Sequence, residues 1–278
     1  MSEIYFPGLD EYYDKFSDAV KQSGKEREFT LKWGLNDLSD VHDILNNNVQ
    51  GGYDSHRKSM LATPPGGSVL TIGPGMGFCV FLLSELYDFV YAAEPDKESC
   101  ALLKAISDHY MLNNKEKAGQ RVKILHAGLS ITDDAVKYWE TKRTLMKKRK
   151  VTGSILNFDI KGAVELRDTF HEKVSRIYLH KVLSSLSIAC TFEEIVSICS
   201  LFLEEEGVMT WSEPEYIFTD ILQVESPGTI ENKLKAIFNK NNMNFNIINY
   251  KVSNYDGESY LDENWTLIKT WRQGNEKG

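Results

Sequence analysis

The chain reads Ser68-Val69-Leu70-Thr71-Ile72-Gly73-Pro74-Gly75-Met76-Gly77, and this stretch decides the fold. Its apolar start shows no polar alternation, which predicts a short strand buried on both faces, as in a parallel sheet covered by helices. Three alternate glycines let the chain turn sharply at the end of the strand, because no Cβ stands in the way. The apolar residues 78–83 then predict a helix whose first backbone N–H groups face a crevice. The segment therefore predicts a unit that holds a nucleotide-like ligand.

A second apolar run ends in a carboxylate. Phe89-Val90-Tyr91-Ala92-Ala93-Glu94 predicts another buried strand. Glu94 follows Gly73 by about 20 residues, the spacing at which such folds hold a ribose diol. We therefore expect the Glu94 carboxylate to accept hydrogen bonds from two hydroxyl groups.

The glycine pattern differs from the dinucleotide fingerprint G-x-G-x-x-G, which places its third glycine where this chain has Phe78. Gly-x-Gly-x-Gly, followed after the second strand by Glu94-Pro95-Asp96, resembles motif I and the acidic loop of class I S-adenosylmethionine-dependent methyltransferases. The resemblance implies S-adenosylmethionine as the cofactor. It also implies a set of contacts in the glycine loop and the acidic loop: Gly73, Pro74, Gly75, Met76, Gly77, Glu94 and Pro95.

From Ser68 onwards the predicted strands and helices alternate, which indicates an α/β fold with a parallel sheet and right-handed crossovers. Strands are predicted at 69–72, 89–94, 122–126, 176–180 and 207–211, and helices at 97–112, 192–203 and 229–239. The late segments 244–250 and 265–271 are predicted to form a hairpin, which resembles the reversed last strand of the methyltransferase sheet. We expect a doubly wound, seven-stranded, mostly parallel sheet of the Rossmann-like methyltransferase type, with an antiparallel last strand.

The residues before the first strand are predicted to be helical. Apolar side chains recur at helical spacing over 9–20, and a second helix is indicated near 35–45. Thr63-Pro64-Pro65-Gly66-Gly67 is a stiff connector to the first strand. We expect an N-terminal helical cap over 1–63 and a cofactor-binding domain over 64–278.

Composition limits the classes of partner. The chain has 278 residues, of which 42% are hydrophobic, so it can bury a sizeable core. A net charge of −8 argues against nucleic acid as the main ligand, because phosphate binding needs clustered Lys and Arg. We expect a small-molecule substrate and no membrane partner, since no apolar stretch is long enough to span a bilayer. The acidic start shows no signal sequence, so a cytoplasmic location is expected, for a monomer or a homodimer.

Neither disulfides nor a metal site are expected. The four cysteines are dispersed without C-x-x-C spacing in or beside apolar segments, which predicts reduced thiols in the core. No set of His, Asp and Glu has the spacing of metal ligands.

The turn after the third strand, Leu125-His126-Ala127-Gly128-Leu129, lies where the family usually has an acid that accepts from the adenine amino group. Gly128 falls at the place of that acid, and Leu129 is expected to supply an apolar wall and a backbone N–H. Asn157 or Asp159, in the long stretch before the fourth strand, is a candidate to replace the acid. A plain surface strand or loop explains that stretch equally well.

His180 ends the predicted fourth strand, at the sheet edge where open α/β sheets bind ligands. A histidine there is a candidate general base, because its pKa is near neutral. The alternatives are packing against the cofactor or a hydrogen bond to the backbone. Tyr53 is the second catalytic candidate, in a segment that family members commonly fold over the cofactor.

Five residues are candidates for contacts with the substrate. Trp211, Glu213 and Tyr216 are predicted to follow the fifth strand, where an aromatic ring and a carboxylate would grip a cationic or amine substrate. The alternative for Trp211 is an aromatic ring that fills a gap under a loop. Arg57 and Tyr13 precede the first strand, and Tyr13 also fits a helix-core pattern.

The resemblance implies transfer of a methyl group to a nitrogen or oxygen of a small molecule. A sulfonium is already activated, so such an enzyme mainly aligns donor and acceptor and excludes water. The layout is loosely similar to histamine N-methyltransferase-like enzymes. Two alternatives stay open. One is an enzyme that transfers or cyclises the aminocarboxypropyl group and releases methylthioadenosine, and the other is a protein that binds the cofactor without turnover.

Overall fold

The computed structural model of the protein describes residues 6–46, 52–113, 121–148, 158–224, 229–255 and 260–273. The N-terminal part forms helices α1 (Leu9–Gln22), α2 (Glu26–Trp33), α3 (Ser39–Asn46) and α4 (Tyr53–Leu61). The elements that follow are β1 (Ser68–Ile72), α5 (Phe78–Leu86), β2 (Phe89–Ala93), α6 (Lys97–Asn113), β3 (Arg121–Leu125), β4 (Ala127–Gly128), α7 (Asp133–Lys148), β5 (Val164–Glu165), α8 (Leu166–Thr169) and β6 (Val174–His180). The last are α9 (Leu183–Leu186), α10 (Phe192–Phe202), β7 (Leu203–Pro214), α11 (Glu215–Leu222), α12 (Ile230–Lys240), β8 (Met243–Tyr255) and β9 (Tyr260–Arg272).

Seven strands form one sheet in the order β3-β2-β1-β6-β7-β9-β8. β2 and β3 pair in parallel, as do β6 and β7, whereas β9 is antiparallel to both of its neighbours. The sheet is therefore the expected doubly wound, mostly parallel sheet of the Rossmann-like methyltransferase fold, and the prediction of a reversed last strand is confirmed. β4 and β5 form a separate two-stranded parallel ladder, which was not predicted.

Three strands, β7, β8 and β9, are clearly longer than predicted, and the length of β7 bears on the candidate residues. β7 continues beyond the predicted end at 211 and includes Trp211 and Glu213. It continues because β9 pairs with it as far as the register partners Pro214 and Trp265. The expectation that Trp211 and Glu213 follow the strand was wrong, because both lie inside it.

The described chain forms two compact units. The first comprises Met1–Ile44 and Thr71–Thr169, and the second Leu45–Leu70 and Phe170–Gly278. β1 passes from the second unit into the first. The division into a cap over 1–63 and a domain over 64–278 stays a prediction. None of the helices in the described ranges is both long and apolar enough to cross a membrane.

The core of the first unit forms around an aromatic cluster. The ring of Phe16, on the buried face of α1, lies 5.7 Å from that of Phe29 in α2 and 5.4 Å from that of Phe78 in α5. All nine residues of α5 are buried, as expected for a helix that is apolar over most of its surface. The four cysteines are buried as well, which agrees with the prediction of core thiols. The aromatic contacts place α1 and α2 beside the helix that follows the glycine loop.

Gly77→Ala tests the steric demand of the glycine loop. Gly77 has a φ of +91°, and a Cβ on it would lie 2.2 Å from Leu103 Cδ2. Gly66 has nearly the same φ, +92°, but nothing within 4 Å of its Cβ position, so Gly66→Ala is the matched control. We expect Gly66→Ala to cost about 1–2 kcal/mol of backbone strain, and Gly77→Ala to cost that plus roughly 1–3 kcal/mol of overpacking. Urea unfolding measures the stability of both variants. Equal losses of stability would show that the Leu103 side chain moves aside at little cost.

Candidate functional site

The glycine loop of the first unit is a tight turn at the end of β1. Gly73, Gly75 and Gly77 all have positive φ, at +63°, +58° and +91°. Gly73 N donates to Ala93 O at 2.8 Å, and Gly77 N donates to Pro74 O at 3.0 Å. Residues 73–76, which include Met76, are half-buried, so part of the loop surface is open to a ligand. The predicted loop geometry is therefore present, and its contacts with a cofactor stay a prediction.

Glu94 comes directly after β2 and joins the glycine loop to the acidic loop. It is 2% exposed, and its carboxylate accepts from two backbone N–H groups. Gly75 N donates to Oε2 at 3.0 Å, and Asp96 N donates to Oε1 at 2.9 Å. Burial raises the pKa of Glu94 to about 7, although both donors act in the opposite direction. Each oxygen keeps a second lone pair, so the carboxylate can still accept from ligand hydroxyls.

Asp96 forms the centre of a buried polar cluster. Its Oδ2 lies 2.6 Å from Nζ of Lys32, and both side chains are nearly inaccessible, at 0% and 1% exposure. The same oxygen accepts from Ser99 N and Oγ, and Oδ1 accepts from Asp159 N at 2.6 Å. Lys32 was not predicted. The available signal was its position three residues after Phe29, which places it on the buried face of α2.

The turn after β3 offers no room for the acid that the family usually has there. A Cβ on Gly128 would lie 2.6 Å from Ile131 Cδ1 and 3.3 Å from Pro95 Cβ. Leu129 is 2% exposed, so its side chain belongs to the core. Asp159 N donates to Asp96, and Asp159 O accepts from Lys97 N, which brings this segment against the acidic loop.

Asn157 lies outside the described residues. Its proposed replacement of the missing acid therefore stays a prediction. The carboxylate of Asp159 accepts from Lys161 N at 3.0 Å.

In the second unit, His180 is the last residue of β6, as predicted. Its Nε2 lies 3.2 Å from Ser55 Oγ, and that hydroxyl donates its proton to Gly52 O at 2.8 Å. Because a hydroxyl has one proton, Ser55 must accept from His180 Nε2–H. Nδ1 then carries the lone pair of the neutral ring, and it is buried without a hydrogen-bond partner among the described residues.

Aromatic rings surround His180. Its ring centroid lies 3.9 Å from that of His56 and 5.3 Å from that of Trp265. His56 Nδ1 is 2.9 Å from the hydroxyl of Tyr178. Burial, helped by the charge of Lys181, lowers the pKa of His56 to about 3. Burial, followed by His56 and Lys181, also holds the pKa of His180 well below its ordinary value, so both rings are neutral at pH 7. His56 was not predicted.

Trp211 and Glu213 face the opposite side of the sheet from His180. The register partner of His180 in β7 is Ser212, and side chains alternate between faces along a strand. Trp211 is fully buried, with its ring 5.3 Å from that of Phe192 in a T-shaped contact. This position favours the packing alternative for Trp211.

The contacts of Glu213 are those of a helix cap. Its Oε1 accepts from Val182 N at 2.6 Å and from Leu183 N at 2.7 Å, at the start of α9. The chain reaches this position through Lys181, which has a φ of +51°. Burial raises the pKa of Glu213 to about 7, despite the two donors and Lys181. These contacts account for Oε1, whereas Oε2 is buried without a hydrogen-bond partner among the described residues.

The other predicted residues lie in varied surroundings. The hydroxyl of Tyr13 donates to Leu38 O at 3.2 Å, and its ring packs edge-on against His42, which favours the helix-core pattern. Tyr53 begins α4 and is half-buried. Arg57 is exposed, and Tyr216 is 55% exposed. Their roles stay predictions.

The comparisons with known proteins find likeness only among solved structures. No protein-family model matches the sequence, and no curated protein matches it. Precorrin-6y C5,15-methyltransferase from Geobacter metallireducens GS-15 has a TM-score of 0.46 at 12% identity, over 80% of this chain and 89% of that chain. Magnesium protoporphyrin IX methyltransferase from Synechocystis PCC 6803 with bound SAM has a TM-score of 0.46 at 10% identity, over 98% and 100%. Trm5b from Pyrococcus abyssi has a TM-score of 0.41 at 13% identity, over 78% and 48%. Likeness at this level concerns the fold alone.

Glu213→Gln tests the capping role of Glu213, because the amide oxygen can still accept from Val182 and Leu183. The folded-state pKa, about 7, lies above the ordinary value of 4.5, so the folded protein binds more protons between these pH values than the unfolded chain does. Stability from this group is therefore present below pH 4.5 and lost as the pH rises through about 7. A glutamine side chain does not titrate, so the variant does not lose this stability as the pH rises. We expect its free energy of unfolding, relative to the wild type, to rise by roughly 1–3 kcal/mol between about pH 4.5 and pH 8.

Urea unfolding at both pH values measures this change. The same substitution at the exposed Glu205 of β7 is the control. A relative stability of Glu213→Gln that does not change with pH would contradict the buried, high-pKa carboxyl.

Proposed function

We propose that the protein is an S-adenosylmethionine-dependent methyltransferase that acts on a nitrogen or oxygen of a small molecule. The observation that carries the proposal is the tight glycine loop, joined through Gly75 N to the buried Glu94 carboxylate at 3.0 Å. A glycine turn of this kind lets a ligand approach the backbone closely, because no Cβ stands in the way. The free lone pairs of Glu94 suit the hydroxyls of a ribose.

The residues of the first unit fit the cofactor. Residues 73–77 and Glu94 would hold its ribose and amino-acid parts, and Pro95 and Leu129 would border it. When bound, S-adenosylmethionine supplies a methyl group on a positively charged sulfur, which is already activated for displacement. The chain then has to bind, orient and exclude water, which needs few catalytic groups.

His180 is the proposed base of the second unit. Its Nδ1 lone pair is unused among the described residues, because Ser55 fixes the proton on Nε2. The pKa of His180 is held well below its ordinary value, so the ring is neutral at pH 7 with a free lone pair on Nδ1, but it is a weaker base than the near-neutral histidine expected from the sequence. A hydroxyl acceptor benefits from such a base, whereas an amine only has to bind in its neutral form. Tyr53 is proposed as a second contact with the reacting groups.

A small acceptor is favoured by the charge of the chain. The net charge of −8 disfavours nucleic-acid phosphates and favours a small or cationic molecule. The exposed Arg57 and Tyr216 are the candidates for contacts with it, since Trp211 is buried against Phe192 and Glu213 Oε1 caps α9.

Glu94→Ala tests the cofactor site. We expect it to weaken the binding of S-adenosylhomocysteine by about 1–3 kcal/mol, the range for lost hydrogen bonds to a charged group. Isothermal titration calorimetry measures the affinity. The control is Glu98→Ala, which removes another carboxylate from the same region. The Glu98 side chain is 52% exposed, and its Oε2 lies 3.4 Å from Lys32 Nζ. Unchanged affinity in Glu94→Ala would show that the ligand binds elsewhere.

The reaction itself is tested by incubating the purified protein with S-adenosylmethionine and a small-molecule extract, followed by mass spectrometry. The proposal expects S-adenosylhomocysteine together with a species heavier by one methylene, which identifies the acceptor. Methylthioadenosine in place of S-adenosylhomocysteine would indicate aminocarboxypropyl chemistry. Neither product, with no binding in calorimetry, would overturn the enzyme proposal.

A further inference from the structure

We propose that Trp33 is part of the cofactor site and closes over the glycine loop against the bound nucleoside ligand. This inference rests on the proposed function, since it takes the ligand to be S-adenosylmethionine or its product S-adenosylhomocysteine. Trp33 is the last residue of α2 and belongs to no motif in the sequence.

The position of the indole is the first argument. Trp33 Cη2 lies 3.5 Å from the point at which a Cβ on Gly75 would stand, which is van der Waals distance. The ring therefore reaches the middle glycine of the loop. Both Trp33 and the loop residues 73–76 are only half-buried, so the ring and the loop share a surface that a ligand can cover.

The second argument is that this indole makes no aromatic, cation–π or hydrogen-bond contact of its own among the described residues. Among the described residues, Trp33 has no ring partner, no cation over its face and no hydrogen bond from Nε1. The other tryptophans each have such a partner: Trp139 has Phe158, Trp211 has Phe192, Trp265 has His180, and Trp271 has Lys269. An indole without a ring or cation partner, beside a loop built for close approach, is suited to a flat or apolar ligand surface.

The third argument is that α2 is held at the loop. Lys32, the residue before Trp33, is buried against Asp96 at 2.6 Å. A shift of α2 away from the loop would leave the Asp96 charge buried without its cation, which is costly. Asp96 N is in turn bonded to Glu94, and Glu94 accepts from Gly75 N. The ring is thus placed on the loop by the same contacts that shape the loop.

From these contacts the role of Trp33 follows. The indole packs on the π and apolar surface of the nucleoside ligand and keeps water from it. Its contribution is to binding, so it is measurable without knowledge of the acceptor.

The test is a titration of the full chain with S-adenosylhomocysteine. Calorimetry is expected to show about tenfold weaker binding for Trp33→Ala, and a change of less than about threefold for Trp33→Phe, which keeps an aromatic face. Tryptophan fluorescence is the second readout. The change in emission on ligand addition is expected in the wild type and in the control Trp271→Phe, and it is expected to be lost in Trp33→Phe.

The outcomes separate this inference from the proposed function. If the wild type binds and Trp33→Ala binds equally well, Trp33 is not in the site, and the proposed function stands. If the wild type does not bind S-adenosylhomocysteine, the proposed function fails first. Should Trp33→Ala fail to fold, the fluorescence of Trp33→Phe decides, and a full ligand-induced change in that variant overturns the inference.

Discussion

The buried ion pair between Lys32 and Asp96 is the contact on which the first unit depends most. Two charges removed from water are stable only when each is fully paired, so the pair fixes where α2 can lie. The remaining lone pairs of Asp96 bind Ser99 at the start of α6 and the backbone of Asp159. Through Glu94 the same loop holds Gly75. One short acidic segment thus connects a helix, a glycine loop and a distant part of the chain.

Burial sets the chemistry of the second unit in a different way. There, Nδ1 of His180 and Oε2 of Glu213 are buried without a hydrogen-bond partner among the described residues, and desolvation dominates the titration of both side chains. His56 and His180 are kept neutral, and the Glu213 carboxyl takes up a proton near neutral pH. The single proton of Ser55 then decides which nitrogen of His180 has a lone pair. Because side chains alternate along β7, Ser212 lies on the same face of the sheet as His180 and Glu213 lies on the opposite face. The candidate base His180 and the capping residue Glu213 are therefore on different faces.

Much of the fold could be predicted because its signals are local. An apolar run, three glycines and a terminal carboxylate are read directly from neighbouring residues, and the hairpin of β8 and β9 shows as two late apolar segments. The end of β7 was missed because its length depends on pairing with β9, a strand about fifty residues further along the chain. Lys32, Ser55 and His56 were missed for the same reason, because their partners are distant in the sequence and no neighbouring residue indicates them. Gly128 was noticed as a departure, but the lack of space around it is visible only in the folded chain.

The sequence by itself determined the class of fold and the place of the glycine loop, because a strand, a sharp turn and a helix follow from backbone sterics and apolar patterning. Only the tertiary structure decided which charges are buried together, which tautomer His180 adopts and which face of the sheet Glu213 occupies. These properties depend on distances between residues far apart in the chain and on how completely water is removed around them. The same tertiary contacts place Trp33 on the glycine loop, and no sequence pattern predicts that contact.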